Sequence, residues 1–337
     1  MSPLNLVNLI CYIVLMTISA RIFRSSKRHF DCQREDTKTI VPAMALASIL
    51  KEDHVVVGDW VELSEPGLGS EEWKIESVRP RRNSIFRNLP REQKKKVIAA
   101  NVDVILVVVS AEKPAYKRGL VDRYLVRSEY WDVPAYVIFN KMDIYDESVF
   151  DISLEAERLK WLNAEFFEVS AEQKDYQPRF LDKGMSELRE MLRGKTAVTL
   201  GHSGVGKSHL ITTLSDGKAT LLTGELGRAN KGSHTTTWAE LIDAEFFTLI
   251  DSPGVRSMSL SDLTREELLH SFTDINEWAS KCQFSSNCKH EENSKGCFFQ
   301  KLDETRREDL LILTRLDSFK RILSEVELIP DWQKGNS

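Results

Sequence analysis

Gly201-His202-Ser203-Gly204-Val205-Gly206-Lys207-Ser208 is a complete G-x-x-x-x-G-K-S phosphate loop. The apolar run Thr196-Ala-Val-Thr-Leu200 enters it and the helix-like His209-Leu-Ile-Thr-Thr-Leu214 leaves it, which is the strand–loop–helix setting the motif requires. The glycines let backbone N–H groups turn inward around phosphate oxygens, and the positive end of the following helix, opened by Lys207, Ser208 and His209, adds to the attraction. Lys207 then reaches the β- and γ-phosphates, where it also serves catalysis, and the Ser208 hydroxyl holds Mg²⁺.

A second motif selects the base. Asn140-Lys141-Met142-Asp143 follows the apolar run Pro134-Ala-Tyr-Val-Ile-Phe139, placing it at the carboxyl end of a strand, where open α/β sheets bind ligands. A carboxylate at Asp143 accepts from both N1–H and the 2-amino group of guanine. Adenine has no such donor pair and would leave the carboxylate unmatched. Asn140 is expected to bond the other edge of the base, with the stem of Lys141 over its face. Phe167-Glu-Val-Ser170-Ala171 ends another short strand and offers the Ala171 N–H to guanine O6, with Ser170 beside it. The strand Phe246-Phe-Thr-Leu-Ile250 ends in Asp251-Ser-Pro-Gly254, so Asp251 would hold Mg²⁺ through water and the Gly254 N–H would touch the γ-phosphate. Residues 223–233 lead to His234-Thr235-Thr236-Thr237, and a hydroxyl there, assigned to Thr235 or Thr236, closes a first switch over Mg²⁺.

Ordinarily the phosphate loop comes first and the base-reading motif last. Here Asn140 and Ser170 precede it, and a circular permutation accounts for the order with no element lost. Val104-Ile-Leu-Val-Val-Val-Ser110 becomes the first strand of the permuted domain. This order resembles the circularly permuted small-ribosomal-subunit biogenesis GTPases, the RsgA family, from about Ser19 to about Glu327. The segments Val55-Val-Val-Gly-Asp-Trp-Val-Glu62, Ile98-Ala-Ala-Asn-Val-Asp103, Val121-Asp-Arg-Tyr-Leu125 and Thr223-Gly-Glu225 carry the resemblance further.

A chain of 337 residues holds two or three domains. Five short alternating segments, at 21–25, 29–33, 39–44, 55–63 and 73–78, are expected to form a small β-barrel of the OB type, as the resemblance also implies. Behind them run Arg79, Arg81, Arg82, Arg87, Arg91, Lys94, Lys95 and Lys96, with Phe86 and Trp73 interleaved. Since the formal charge of the whole chain is -5, nucleic-acid contact must be local, and this stretch is expected to meet ribosomal RNA phosphates and stack bases.

Five cysteines are an odd number, and three cluster with a histidine, which favours a reducing compartment and a metal over disulfides. Cys282-x5-Cys288-x-His290-x6-Cys297 is a Cys₃His set of the structural zinc type, with no open catalytic position. The family pattern has first and last gaps one residue shorter. Beyond it, residues 306–328 carry helical periodicity through Leu310, Leu311, Leu313, Leu316, Phe319, Ile322 and Leu323. At the other end, residues 4–15 are strongly apolar but shorter than the roughly 20 needed to span a bilayer, with no basic residue before them. The preferred reading is an upstream start codon with Met16 as the functional start; the alternative is a peripheral membrane anchor.

The expected organisation is an N-terminal extension at 1–17, an OB-fold β-barrel that binds RNA at 18–90, a central α/β circularly permuted P-loop GTPase at 91–265 and a zinc-binding α-helical domain at 266–337. Gln, which orients water directly after D-x-x-G in ordinary GTPases, is replaced here by Val255, so intrinsic hydrolysis is expected to be slow. The resemblance assigns the water to His234. It also implies late maturation of the small (30S) ribosomal subunit, with turnover stimulated by that subunit and coupled to release. One structural Zn²⁺ and a Mg²⁺ with GTP are expected. So are contacts with the subunit's rRNA and its other assembly factors, a monomeric cytoplasmic state and no stable membrane partner. A contrasting reading is a nucleotide-regulated RNA-binding module with little hydrolysis.

Overall fold

The computed structural model describes residues 17–328 apart from 27, 53, 68, 90–93, 219–238, 252–259, 286, 287, 289 and 292. Strands β1 (Ile18–Ser25), β2 (His29–Arg34), β3 (Ile40–Ala45), β4 (Trp60–Ser64) and β5 (Trp73–Val78) close in the order β1-β2-β3-β5-β4-β1, with helix α1 (Ala47–Glu52) between β3 and β4. This is the five-stranded OB barrel. Ala20, Ile22, Phe30, Cys32, Val61, Leu63 and Ile75 alternate into its core. The expected strand at 55–63 begins only at Trp60. Gly58 turns the chain at φ +89°, and a Cβ there would lie 2.2 Å from the Ala100 carbonyl oxygen. Asp59, fully buried, then accepts from the Val56 N–H at 2.8 Å and pairs with Arg81 at 2.7 Å.

Strands β6 (Ser84–Leu89) and β7 (Lys94–Ala100) pair antiparallel as the two arms of a hairpin, an element that the basic composition had concealed. The boundary expected at residue 90 falls between these two paired strands. The hairpin leans on the next domain, where Trp131 donates its indole N–H to the Phe86 carbonyl at 2.9 Å. The basic run divides. Arg79, Arg81 and Arg82 pair with Glu62, Asp59 and Asp103, whereas Arg87, Lys95 and Lys96 are exposed on the hairpin. Trp73 is in the barrel core at 9% exposure, which withdraws it from base stacking.

The central domain is a six-stranded sheet in the order β10-β9-β8-β11-β13-β12. Its members are β8 (Val104–Ser110), β9 (Ala135–Asn140), β10 (Glu165–Glu168), β11 (Thr196–Leu200), β12 (Ala239–Asp243) and β13 (Thr248–Asp251). All pairs are parallel except β12 with β13. Every residue of β8 and β9 is buried, as expected of strands covered on both faces. Helices α2 (Arg118–Trp131), α3 (Ile152–Trp161), α4 (Met185–Leu192) and α5 (Lys207–Leu214) connect or follow these strands. The strand order reverses between β8 and the phosphate-loop strand β11, since the chain leaves β8 for β9 and β10 on one side and leaves β11 for β12 and β13 on the other, the switch-point arrangement that opens a crevice at the strand ends. Strand β1 of the barrel pairs antiparallel with β12, making one continuous sheet of eleven strands.

Helices α6 (Arg265–Ser271), α7 (Thr273–Ala279) and α8 (Arg307–Glu327) complete the described chain around their own core of Leu268, Phe272, Leu316 and Phe319. The expected helix at 306–328 is α8. Among the described residues, no helix is long and apolar enough to cross a membrane.

Candidate nucleotide site and metal centre

Three loops meet at the carboxyl ends of β9, β10 and β11. Asn140, 1% exposed, joins them: its amide donates to the Val205 carbonyl at 2.9 Å and its oxygen accepts the Ala171 N–H at 3.0 Å. Asn140 was expected to bond one edge of the base and the Ala171 N–H to meet guanine O6; here the Asn140 side chain joins the base loop to the phosphate loop. Gly206 passes so close that a Cβ would lie 2.5 Å from the Asn140 amide nitrogen, and its φ is +92°. Lys141, at φ 63°, donates to the Gly204 carbonyl at 2.7 Å. Lys207 folds onto the carbonyls of Gly201 and His202 at 2.7 and 2.8 Å. His202, Ser203, Gly204 and Ser208 are exposed along the loop, while Val205 anchors it in the core.

Asn140, Lys141, Asp143, Ala171, Gly206 and His209 line a cavity of about 170 Å³. Asp143 lines this cavity, and its Oδ1 is buried without a hydrogen-bond partner, an acceptor that an N–H donor could satisfy. His209 faces Glu172 at 3.3 Å on the rim.

Residues the sequence reading missed brace this pocket. Glu168, fully buried, accepts the Tyr176 hydroxyl and the backbone N–H groups of Arg179, Phe180 and Leu181. Arg179 in turn donates to the Met142 carbonyl at 2.7 Å, and the Met142 N–H reaches the Val169 carbonyl at 3.2 Å. Met142 itself is buried, so it shapes the loop from beneath. A lone carboxylate inside the apolar run Phe166-Phe167-Glu168-Val169 was the available signal. Ser170 caps the next turn, accepting the Gln173 N–H at 3.1 Å.

Asp251 ends β13, next to β11 in parallel register. With the Ser208 hydroxyl it offers hard oxygen donors, the kind Mg²⁺ prefers. His234, Thr235, Thr236, Gly254 and Val255 lie outside the described residues.

Away from this crevice, Cys282, Cys288, His290 and Cys297 converge, all buried, with ligand atoms within 4.8 Å of one another. Cys282 Sγ and Cys297 Sγ are 3.9 Å apart and lie 3.7 and 3.6 Å from His290 Nδ1. A tetrahedral zinc with bonds of about 2.3 Å to sulfur and 2.0–2.1 Å to nitrogen needs edges of about 3.6–3.8 Å. The cluster therefore fits a structural metal, with Nδ1 as the histidine donor. Burial, with Lys320 and Arg265 nearby, lowers the His290 pKa and favours the neutral, ligating imidazole. Burial pushes the Cys282 thiol up to about 11, so a thiolate there needs a cation to offset it.

The profile of the RsgA GTPase family matches residues 78–261. The chain belongs to that family. It is 39% identical over 216 residues to the small ribosomal subunit biogenesis GTPase RsgA of Chlorobaculum parvum, covering 64% of this chain and 65% of that one. It is 30% identical over 294 residues to the protein of the same name from Christiangramia forsetii, covering 84% and 90%. The crystal structure of YjeQ from Thermotoga maritima superposes with a TM-score of 0.69 at 25% identity, over 94% of this chain and all of that one. YloQ, a circularly permuted GTPase, superposes at 0.65 with 23% identity, over 93% of this chain and 96% of that one, and shows the same fold.

Proposed function

We propose that this GTP hydrolase assists late maturation of the small ribosomal subunit, with slow intrinsic turnover that the subunit stimulates and that is coupled to release. The observation that carries the nucleotide reading is Asp143, which lines a cavity that also touches the phosphate loop and whose Oδ1 is buried without a partner. Guanine N1–H and its 2-amino group would supply donors to that carboxylate. The relatives' names supply the subunit, and the exposed Arg87, Lys95 and Lys96 on the β6–β7 hairpin supply a local surface for its RNA despite the overall charge of -5.

In this reading Asp143 selects guanine, the Ala171 N–H and Lys141 border the base, and the loop from Gly201 to Ser208 cradles the phosphates. Lys207 leaves the Gly201 and His202 carbonyls for the β- and γ-phosphates. Ser208 and Asp251, with Thr235 or Thr236, would hold Mg²⁺, which neutralises charge between the β- and γ-phosphates. Gly254 approaches the γ-phosphate, and His234 orients the attacking water in the place Val255 leaves unserved. Cys282, Cys288, His290 and Cys297 hold one structural zinc. The proposed domains are 18–90, 91–265 and 266–337, with β6 and β7 pairing across the first boundary, in a monomeric cytoplasmic protein that meets the subunit's rRNA and other assembly factors.

The test is GTP turnover with and without purified small subunits. Stimulation is expected in the wild-type chain. Lys207→Ala should lose binding and turnover together, whereas His234→Ala should keep GTP binding and lose stimulated turnover by roughly ten- to a thousandfold. Equal turnover with and without subunits would leave only a nucleotide-regulated RNA-binding module.

A further inference from the structure

The sheet that runs unbroken from barrel to GTPase domain aligns three charged residues. Arg24 of β1 is the cross-strand partner of Glu240 in β12, and Glu240 is the partner of Asp251 in β13. Directly opposed residues of antiparallel strands share a face, with Cβ atoms about 4.5–5.5 Å apart. Glu240 therefore stands beside the carboxylate proposed to hold Mg²⁺, and like charges so placed repel. Its side chain is only 13% exposed and is paired with Arg24 at 2.5 Å, while Arg24 also reaches Asp31 of β2 at 3.2 Å.

We propose that Arg24 is a positioning residue through which the barrel sets the charge of the magnesium and phosphate site, by offsetting the Glu240 carboxylate that stands beside Asp251. The proposal rests on the nucleotide site described above. With Arg24 in place, the Glu240 charge is offset and the phosphates would meet little excess negative charge. Without it, the Glu240 charge stands uncompensated beside Asp251. Nucleotide alone then binds more weakly, because its phosphates are repelled, and Mg²⁺ binds the nucleotide complex more tightly, because a second carboxylate attracts it. The two effects have opposite signs, which general loss of folding does not produce.

The experiment titrates fluorescent GDP in EDTA, then titrates Mg²⁺ into the GDP complex, on the full chain. Arg24→Ala should raise the metal-free GDP Kd by about fivefold and lower the Mg²⁺ midpoint by a similar factor, the effect of one partly screened unit charge. Arg24→Ala with Glu240→Gln should restore both. Glu240→Gln alone should shift both the other way, which keeps the test open if Arg24→Ala folds poorly. Unchanged values in both single variants, or shifts that Glu240→Gln does not reverse, would overturn the proposal. Failure of the wild-type chain to bind GDP at all would instead refute the nucleotide site on which it rests.

Discussion

Asp143 is the residue proposed to carry the base specificity. Its buried Oδ1 has no protein partner, and an uncompensated buried carboxylate oxygen is costly, so the pocket is shaped around what it lacks. Asp143→Asn replaces a double acceptor by a mixed donor and acceptor. GTP affinity is expected to fall by about a hundredfold, since two charge-assisted hydrogen bonds are weakened, while xanthosine triphosphate, with an oxygen in place of the amino group, gains. Competition binding with the two nucleotides decides it, and unchanged GTP affinity would remove Asp143 from the base site. The motif made Asp143 legible from the sequence. Asn140 was legible as a member of the site, whereas its bonds to Val205 and Ala171 were not, because they join residues 65 and 31 positions away.

Among the elements, the Cys₃His loop and the β6–β7 hairpin stand at opposite extremes of legibility. Four ligands at metal spacing were readable, and they converge as expected. The loop between them offers little apolar surface, so metal binding should provide much of its local stability. Cys288→Ser or His290→Ala is expected to lose one zinc per chain, by elemental analysis, with GTP affinity largely kept. Protein purified without chelator and containing no zinc would refute this assignment. The hairpin, by contrast, read as a charge run. Its register opposes Arg87 to Lys96 and Asn88 to Lys95, a pairing that packing supports rather than charge. Phe86, facing Tyr130 at 5.4 Å with Lys95 over its ring at 4.8 Å, supplies part of that packing.

Across the whole molecule, the helical domain is fastened to the GTPase domain by a buried charge network. Asp122 of α2 accepts from Arg158 of α3, from Arg315 of α8 at 2.6 Å and from Ser318 at 2.5 Å, and Arg315 also pairs with Asp274 of α7 at 2.7 Å. Burial raises the Asp122 pKa, but Arg158 and Arg315 outweigh it, leaving the carboxyl below the ordinary 3.8. A depressed carboxylate pKa contributes stability that is complete above 3.8 and is lost as pH falls through the folded value. Asp122→Ala should therefore cost about 3–5 kcal/mol near neutral pH, by leaving buried guanidinium groups short of a partner. The difference from wild type should shrink below about pH 3.8 in urea melts followed by tryptophan emission. An equal difference at every pH would assign the loss to packing. The Trp161–Trp278 pair, centroids 5.3 Å apart across the same junction, provides a reporter.

The sequence by itself determined the chemistry and the class of fold. The phosphate loop, the base motif and the metal ligands are local patterns whose spacing carries their meaning, and their permuted order identifies the arrangement of the sheet. Alternating strands likewise announced the barrel. Only the tertiary structure decided which charges face each other. Arg79, Arg81 and Arg82 pair with carboxylates while Arg87, Lys95 and Lys96 meet solvent. Glu168 proved to be the brace of the base loops, Asp122 the junction of two domains, and Arg24 the neighbour of Glu240 across 216 positions of chain. The physical reason is the same in each case. A charged side chain's role depends on burial and on partners brought close by folding, and neither is encoded in its immediate neighbours.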